Sequence, residues 1–244
     1  MGYVEMHTHI LPGIDDGADA PKTALKMVWQ SYQQGVDAII LTPHYHPGRG
    51  FTASTAVIKG KAARLREAAK NKISEDIRFY TGQEIYWDSN VVDKLNNGEL
   101  LTMAETSYVL IEFSAGTPIG KIREAVSGLT VAGYLPIIAH IERYDSCIGR
   151  IDEVKELVHM GAYIQINCQS LMGGIFDSRA KFCKRLFEEQ LIHFISSDCH
   201  DTRNRPPAII EAVKMLEKKQ GWQWFQKVFF EHPKFLIKGI EIRR

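Results

Sequence analysis

The chain lacks the features that would tie it to a membrane, a leader sequence or a nucleic acid. Its 30 Lys and Arg balance 29 Asp and Glu, for a net charge of +1, so it offers no basic stripe to a phosphate backbone or an anionic lipid surface. No apolar run approaches the ~20 residues that span a bilayer, and no direct membrane insertion is expected. The N-terminus has no basic region followed by an apolar one, which argues against a signal peptide. Gly2 is present, but Met6 stands where myristoylation requires Ser or Thr. The four cysteines, Cys147, Cys168, Cys183 and Cys199, form no C-x-x-C pair. Scattered cysteines in a chain of this size fit a reducing compartment, and a cytoplasmic protein is expected. Ser/Gly-rich linkers, low-complexity tracts and internal repeats are also missing.

What is present is regular alternation. Short apolar runs are expected as strands at Val4–Met6, Asp37–Thr42, Ile77–Thr81, Tyr108–Phe113, Leu135–Ala139, Ala162–Asn167 and Ile192–Ser197. Between them lie helical patterns. One is capped by Asp19 with Pro21 in its first turn; others cover Ala53–Lys72, Ile119–Leu129, Ile151–Met160 and Ala180–Glu189, with a short one near Val91–Leu95. Pro207–Lys218 and Trp222–Phe230 close the chain. Seven β-α units with fully apolar strands predict a parallel sheet covered by helices, either a barrel or an open doubly wound sheet.

The polar residues choose between the two. His7 and His9 follow the first strand, with Asp15 and Asp16 in the turn beyond. His44 follows the second strand and Glu84 the third; Glu112 ends the fourth, His140 the fifth, and Asp198 and His200 the seventh. The sixth ends in Asn167 and Gln169, which are weaker ligands. A parallel barrel opens all strand C-termini onto one face, whereas an open sheet spreads them along an edge. Any one of these residues alone reads as a satisfied core group, but their recurrence at matching points of successive units points to a metal site in a barrel. A carboxylate inside an apolar strand, such as Glu112, is costly unless paired or bound to metal. Five histidines with four carboxylates are too many for one ion. Three divalent cations would leave the positive excess that suits a phosphate dianion, and mixed N/O ligation suits Mn, Fe or Zn. Arg143 and Arg205, in the loops that carry these groups, can fork onto phosphate oxygens.

These segments resemble the polymerase-and-histidinol-phosphatase (PHP) domain, and more narrowly the bacterial PHP-type protein-tyrosine phosphatases of capsule and exopolysaccharide operons, the CpsB/YwqE group. The matching stretches are His7-Thr8-His9-Ile10 with Asp15-Asp16-Gly17, Thr42-Pro43-His44, Gly82-Gln83-Glu84-Ile85-Tyr86, Leu110-Ile111-Glu112-Phe113-Ser114, Ile138 to Tyr144, Ser197-Asp198-Cys199-His200 and Arg205-Pro206-Pro207. The resemblance implies one domain over residues 1–244, an α/β fold of the distorted (β/α)7 TIM-like barrel type, and a trinuclear, usually manganese, centre. Its ligands would be His7, His9, Asp16, His44, Glu84, Glu112, His140, Asp198 and His200, with Arg143 and Arg205 catalytic. Glu5 departs from the family, which usually has Asp there, and is left out of the ligand set.

The implied activity is hydrolysis of phosphotyrosine by a metal-activated hydroxide, the arginines stabilising phosphoryl charge. Tyr45, Phe51 and Tyr86 are candidates for contact with the substrate ring. The implied partner is a phosphotyrosine protein, the tyrosine-rich tail of a membrane-associated bacterial tyrosine kinase. Alternatives are a histidinol-phosphate phosphatase, another PHP phosphoesterase, or a non-catalytic kinase-binding barrel. Cys199 to Arg205 also fits the C-x5-R of thiol phosphatases, but a loop ending against two prolines is poorly built to wrap phosphate in N–H groups.

Overall fold

The structure is a computed structural model that describes residues 2–174, 176–217 and 222–243. Its strands are β1 (Tyr3–Glu5), β2 (Val36–Leu41), β3 (His44–Tyr45), β4 (Arg78–Thr81), β5 (Glu84–Tyr86), β6 (Tyr108–Glu112), β7 (Leu135–Ile138), β8 (Tyr163–Asn167) and β9 (Phe194–Ser196). All pairings between them are parallel, in the orders β1-β2-β4 and β3-β5-β6-β7-β8-β9. The nine segments form seven staves. The second expected strand breaks at Thr42-Pro43 and the third at Gly82-Gln83, so each stave belongs to both sheets. Backbone bonds from Gly82 N to Leu41 O (2.9 Å) and from Glu84 N to Pro43 O (3.1 Å) hold the pairing across the breaks.

The staves close into a distorted barrel. The seam between β9 and β1 has one parallel bridge, Thr8 with Cys199. Around it Asp198 N donates to His7 O (3.1 Å) and His9 N to Cys199 O (2.9 Å). Glu5 is a bolt in this seam: its Oε1 accepts from the Ser196 hydroxyl and from Ser197 N. Burial raises its pKa, and the bonds from Ser196 and Ser197 only partly offset that.

Strand alternation explains the two apolar layers. Val4, Met6, Ala38, Ile40, Tyr108, Leu110, Ile137, Ala139, Tyr163 and Phe194 fill the barrel interior as one cluster, to which every stave contributes once Tyr80 is included. Ile39, Leu41, Val109, Ile111, Ile138, Ile164 and Ile195 face outward and pack under the helices. The end of the barrel where the strands begin is plugged by the C-terminal segment. The Tyr108 hydroxyl donates to Ile240 O and accepts from Ile242 N, and the Tyr163 hydroxyl donates to Ile242 O.

The helices are α1 (Pro21–Gln33), α2 (Thr55–Lys72), α3 (Val91–Asn96), α4 (Ile119–Val131), α5 (Ile151–His159), α6 (Cys168–Leu171), α7 (Ser178–Glu188), α8 (Ile209–Glu217), α9 (Trp222–Gln226) and α10 (His232–Ile237). Ala20, not Asp19, is the N-cap of α1; the Asp19 carboxylate accepts from the Thr23 hydroxyl instead. The helix expected to end at Phe230 runs on through a π turn at Lys227–Glu231 into α10, with Pro233 near the start of α10. Lys218, the expected end of the preceding helix, lies outside the described residues.

Replacing Phe194 by Ala in the barrel interior should lower the unfolding free energy by about 3–5 kcal/mol. Val131→Ala, at a side chain 86% exposed, should stay within about 0.5 kcal/mol. Urea unfolding of the two variants checks the contrast.

Candidate metal centre

The inward parity that fills the barrel continues upward into polar residues. Above Ile40 comes His44, above Tyr80 comes Glu84, and above Leu110 comes Glu112. Phe194 leads to Asp198, and Tyr163 to Gln165 and Asn167. His140 is out of register with Ile137 and Ala139. A left-handed backbone there, φ 33°, turns its ring inward. Asp198 is also left-handed, φ 52°. Such conformations in non-glycine residues persist only where surroundings fix them. Here His140 N donates to Gln165 Oε1 (2.7 Å) and Asp198 N to His7 O. Gly17 matters for a different reason: a Cβ would sit 2.0 Å from the His9 carbonyl oxygen, so only glycine lets the Asp15-Asp16 turn fold back onto His9.

The convergence expected from the barrel is present. Three overlapping groups each bring their ligand atoms within 4.8 Å of one another: His9, Asp16, His44 and His200; His7, His9, Glu84 and Asp198; and His44, Glu84 and Glu112. His140 stands beside them, with Nε2 2.7 Å from Glu84 Oε1 and 4.0 Å from Glu112 Oε2. Asp16 and not Asp15 faces the group, its Oδ1 3.5 Å from both His44 Nε2 and His200 Nε2. Asp15 stands behind: its Oδ2 accepts from His9 Nδ1 (2.7 Å) and from His44 N (2.9 Å).

The donor chemistry fits hard or borderline cations. No sulfur is among the groups. The buried atoms His44 Nδ1, Glu84 Oε2, Glu112 Oε1, Asp198 Oδ1 and His200 Nε2 all belong to these groups and make no well-aligned hydrogen bond, although His44 Nδ1 lies 2.8 Å from Glu112 Oε1 and 3.1 Å from Glu84 Oε2. Such atoms are expensive unless something positive meets them. His200 Nδ1 is committed to Asp198 O (2.9 Å), which leaves Nε2 as a lone pair aimed inward. His7 and His9 meet Nε2 to Nε2 at 3.2 Å, an approach that requires a proton or a metal ion between them. Burial works against charge on His9, but Asp15, with Asp198 and Glu84, outweighs it and holds its pKa well above the usual value. Burial likewise opposes ionisation of Glu84 and Asp198. It is overcome at Glu84 by His7, His44 and His140, and at Asp198 by His7, His9 and Arg143, so both carboxyls are held well below their usual range.

Arg143 and Arg205 both reach this cluster, their guanidiniums 2.8 and 2.7 Å from Asp198 Oδ2, each about one-third exposed. An aromatic rim stands over His44. Phe51 stacks on its ring at 5.7 Å, Arg49 covers Phe51 at 4.9 Å, and Tyr86 stacks on His46 at 4.0 Å. His46 had no distinguishing signal in the sequence beyond its loop. Tyr45 is a correction: it alternates with His44 and faces outward, packing on the outer core with Lys94 over its ring at 5.1 Å. Cys199 is fully buried, its thiol pushed up first by burial and then by Glu5, so the C-x5-R arrangement has no accessible nucleophile.

Fold and site together define a (β/α) barrel with a candidate polynuclear cation centre at its strand C-termini. The family described as "Capsular polysaccharide synthesis, CpsB/CapC" matches residues 3–238, and the chain belongs to that family. Tyrosine-protein phosphatase YwqE of Bacillus subtilis (strain 168) is 37% identical to it, over 99% of this chain and 94% of that protein. Tyrosine-protein phosphatase CpsB of Streptococcus agalactiae serotype III (strain NEM316) is 33% identical, over 97% and 98%. Among solved structures, a match comes from those of YwqE from Bacillus subtilis and CpsB from Streptococcus pneumoniae, described as unique metal-dependent tyrosine phosphatases. Its TM-score is 0.90 at 32% identity, covering 99% of this chain and 96% of the other. The phosphotriesterase from Mycobacterium tuberculosis shares the fold alone, with a TM-score of 0.63 at 12% identity.

Two outcomes are expected of this geometry. A cation entering between His7 and His9 must displace a proton from His9, so Mn2+ binding should release protons and weaken as pH falls; calorimetry in buffers of different ionisation heat measures both. Asp15→Ala removes the acceptor that holds His9 and should weaken Mn2+ binding about 10–100-fold, against unchanged affinity if Asp15 is merely a turn residue.

Proposed function

We propose that this protein is a metal-dependent protein-tyrosine phosphatase, acting as one domain over residues 1–244, with His7, His9, Asp16, His44, Glu84, Glu112, His140, Asp198 and His200 as ligands of a three-metal centre. The observation that carries this reading is the overlap of three N/O ligand groups, one of which contains Asp198, the carboxylate that both arginines reach. Manganese is the metal assigned, with iron or zinc compatible with the same donors. When bound, such ions polarise a phosphoryl group and make water acidic enough to attack at neutral pH.

The chain's own residues do the rest. Arg143 and Arg205 are aimed at the mouth of the cluster from one side, and their forks can turn from Asp198 to phosphoryl oxygens as the charge there grows. Phe51, His46 and Tyr86 line the rim where a substrate ring would lie, and the Tyr86 hydroxyl is held by Ser114 Oγ at 2.8 Å. Tyrosine leaves as a phenolate with a pKa of about 10, a far better leaving group than an alkoxide, so no strong general acid is required. The net charge of +1 gives no grip on nucleic acid. The natural substrate assigned is a membrane-associated bacterial tyrosine kinase that governs polysaccharide export, met in the cytoplasm. No helix among the described residues is long and apolar enough to cross a membrane.

Hydrolysis of a phosphotyrosine peptide should fall to background after chelation and return on adding Mn2+; full activity without metal would refute the mechanism. Arg143→Ala and Arg205→Ala should each lower kcat/KM about 100-fold or more, while Cys199→Ser keeps near wild-type rates. A faster rate on histidinol phosphate than on the peptide would move the assignment to that substrate, and stoichiometric metal with no turnover would make the barrel a binding module.

A further inference from the structure

The stave that supplies no candidate ligand, β8, carries two buried amides whose orientation can be deduced atom by atom. Gln165 Oε1 lies 2.7 Å from His140 N, an obligate donor, so that atom is the oxygen. Its Nε2 then donates to Ile166 O (2.8 Å), an obligate acceptor, and to Asn167 Oδ1 (2.9 Å). The second contact fixes Asn167 in turn, so the Asn167 amide nitrogen donates to Asp198 Oδ2 at 2.8 Å. One consequence falls on His7. Its Nδ1 lies 3.3 Å from Gln165 Oε1, which can only accept, so a proton sits on Nδ1, and Nε2, which faces Glu84 and Asp198 at 3.1 and 3.5 Å, is the nitrogen left for the cluster. Another falls on Asp198. With Asn167, Arg143 and Arg205 all on Oδ2, the unpartnered Oδ1 is the oxygen that faces His7 and His9.

We infer that Gln165 is a positioning residue, which holds His7 in its Nδ1–H form and, through Asn167, turns one oxygen of Asp198 toward the cluster. This deepens the metal-centre reading and rests on it. The amide pair does for His7 and Asp198 what Asp15 does for His9, and it links two ligand positions that are far apart in sequence. Both amides are buried and bonded to candidate ligands, so the role is exerted through those ligands.

The direct test is the imidazole nitrogen spectrum of the full chain before and after Zn2+, a diamagnetic probe, with His7 assigned from a His7→Asn variant. Wild type should show His7 as Nδ1–H in both states. Gln165→Leu should lose that preference before metal is added, and should weaken calorimetric Mn2+ binding about 10–100-fold. Gln165→Glu keeps an acceptor for His7 and His140 N but sets an oxygen against Ile166 O and Asn167 Oδ1, so it should keep the His7 Nδ1–H signal while binding Mn2+ about 10-fold more weakly than wild type. A wild-type His7 without a proton on Nδ1, or wild-type Mn2+ affinity in Gln165→Leu, would overturn the inference. If Gln165→Leu fails to fold, by circular dichroism, the wild-type ring spectrum decides by itself. Neither readout needs turnover, so failure here is distinct from failure to hydrolyse phosphotyrosine.

Discussion

Asp198 is the group on which the structure turns. It is fully buried, and an isolated carboxylate there would be forced to take up a proton. What keeps it ionised is a divided environment: two arginines and Asn167 on one oxygen, and His7, His9 and His200 around the other. The same residue closes the barrel seam through its backbone N–H to His7. Fold closure and charge compensation therefore meet at one position, and a disturbance of either is felt by both.

The barrel below gives this arrangement its rigidity. Tyr108, Tyr163 and Phe194 fill the interior to the level of the first polar layer, and the segment around Ile240 and Ile242 seals the far end. Above that level the same alternation delivers His44, Glu84, Glu112 and Asp198, while His7, His9 and His140 lie off the parity of Val4, Met6, Ile137 and Ala139 below them. Because the staves are locked by packing underneath, the ligand atoms can be held together at a cost that flexible loops could not sustain. The breaks at Thr42-Pro43 and Gly82-Gln83 let two staves change sheets, and it is after these breaks that His44 and Glu84 appear, paired in register across β3 and β5.

The barrel does not by itself say which reaction is run. A phosphotriesterase shares the architecture at 12% identity, and function on this fold is decided by the groups set at the strand ends. In the proposed reading, the groups that would select the reaction are the Arg143 and Arg205 pair and the rim of Phe51, His46 and Tyr86. Cationic forks and flat rings complement the anion and the ring of an aryl phosphate.

From the sequence alone the β-α rhythm, the apolar strands and the recurrence of His, Asp and Glu after them were legible, because periodicity and position along a strand are properties of the chain. Those features were sufficient to expect a barrel and its ligand-bearing face. The splitting of two staves was not legible, since a break in pairing depends on which neighbour offers a backbone partner. Nor was the left-handed turn that brings His140 inward, which Gln165 holds from 25 residues away. Resemblance pointed to Asp16, but only the fold over Gly17 put it beside His44 and His200 and left Asp15 to orient His9. Tyr45 failed for the opposite reason: its neighbour in sequence is a candidate ligand, yet strand alternation turns it to the other face. The chain itself fixed which kinds of atoms are available and on which staves. Only the closed tertiary structure decided which of them face one another, because that depends on backbone twists and hydrogen bonds between segments distant in sequence.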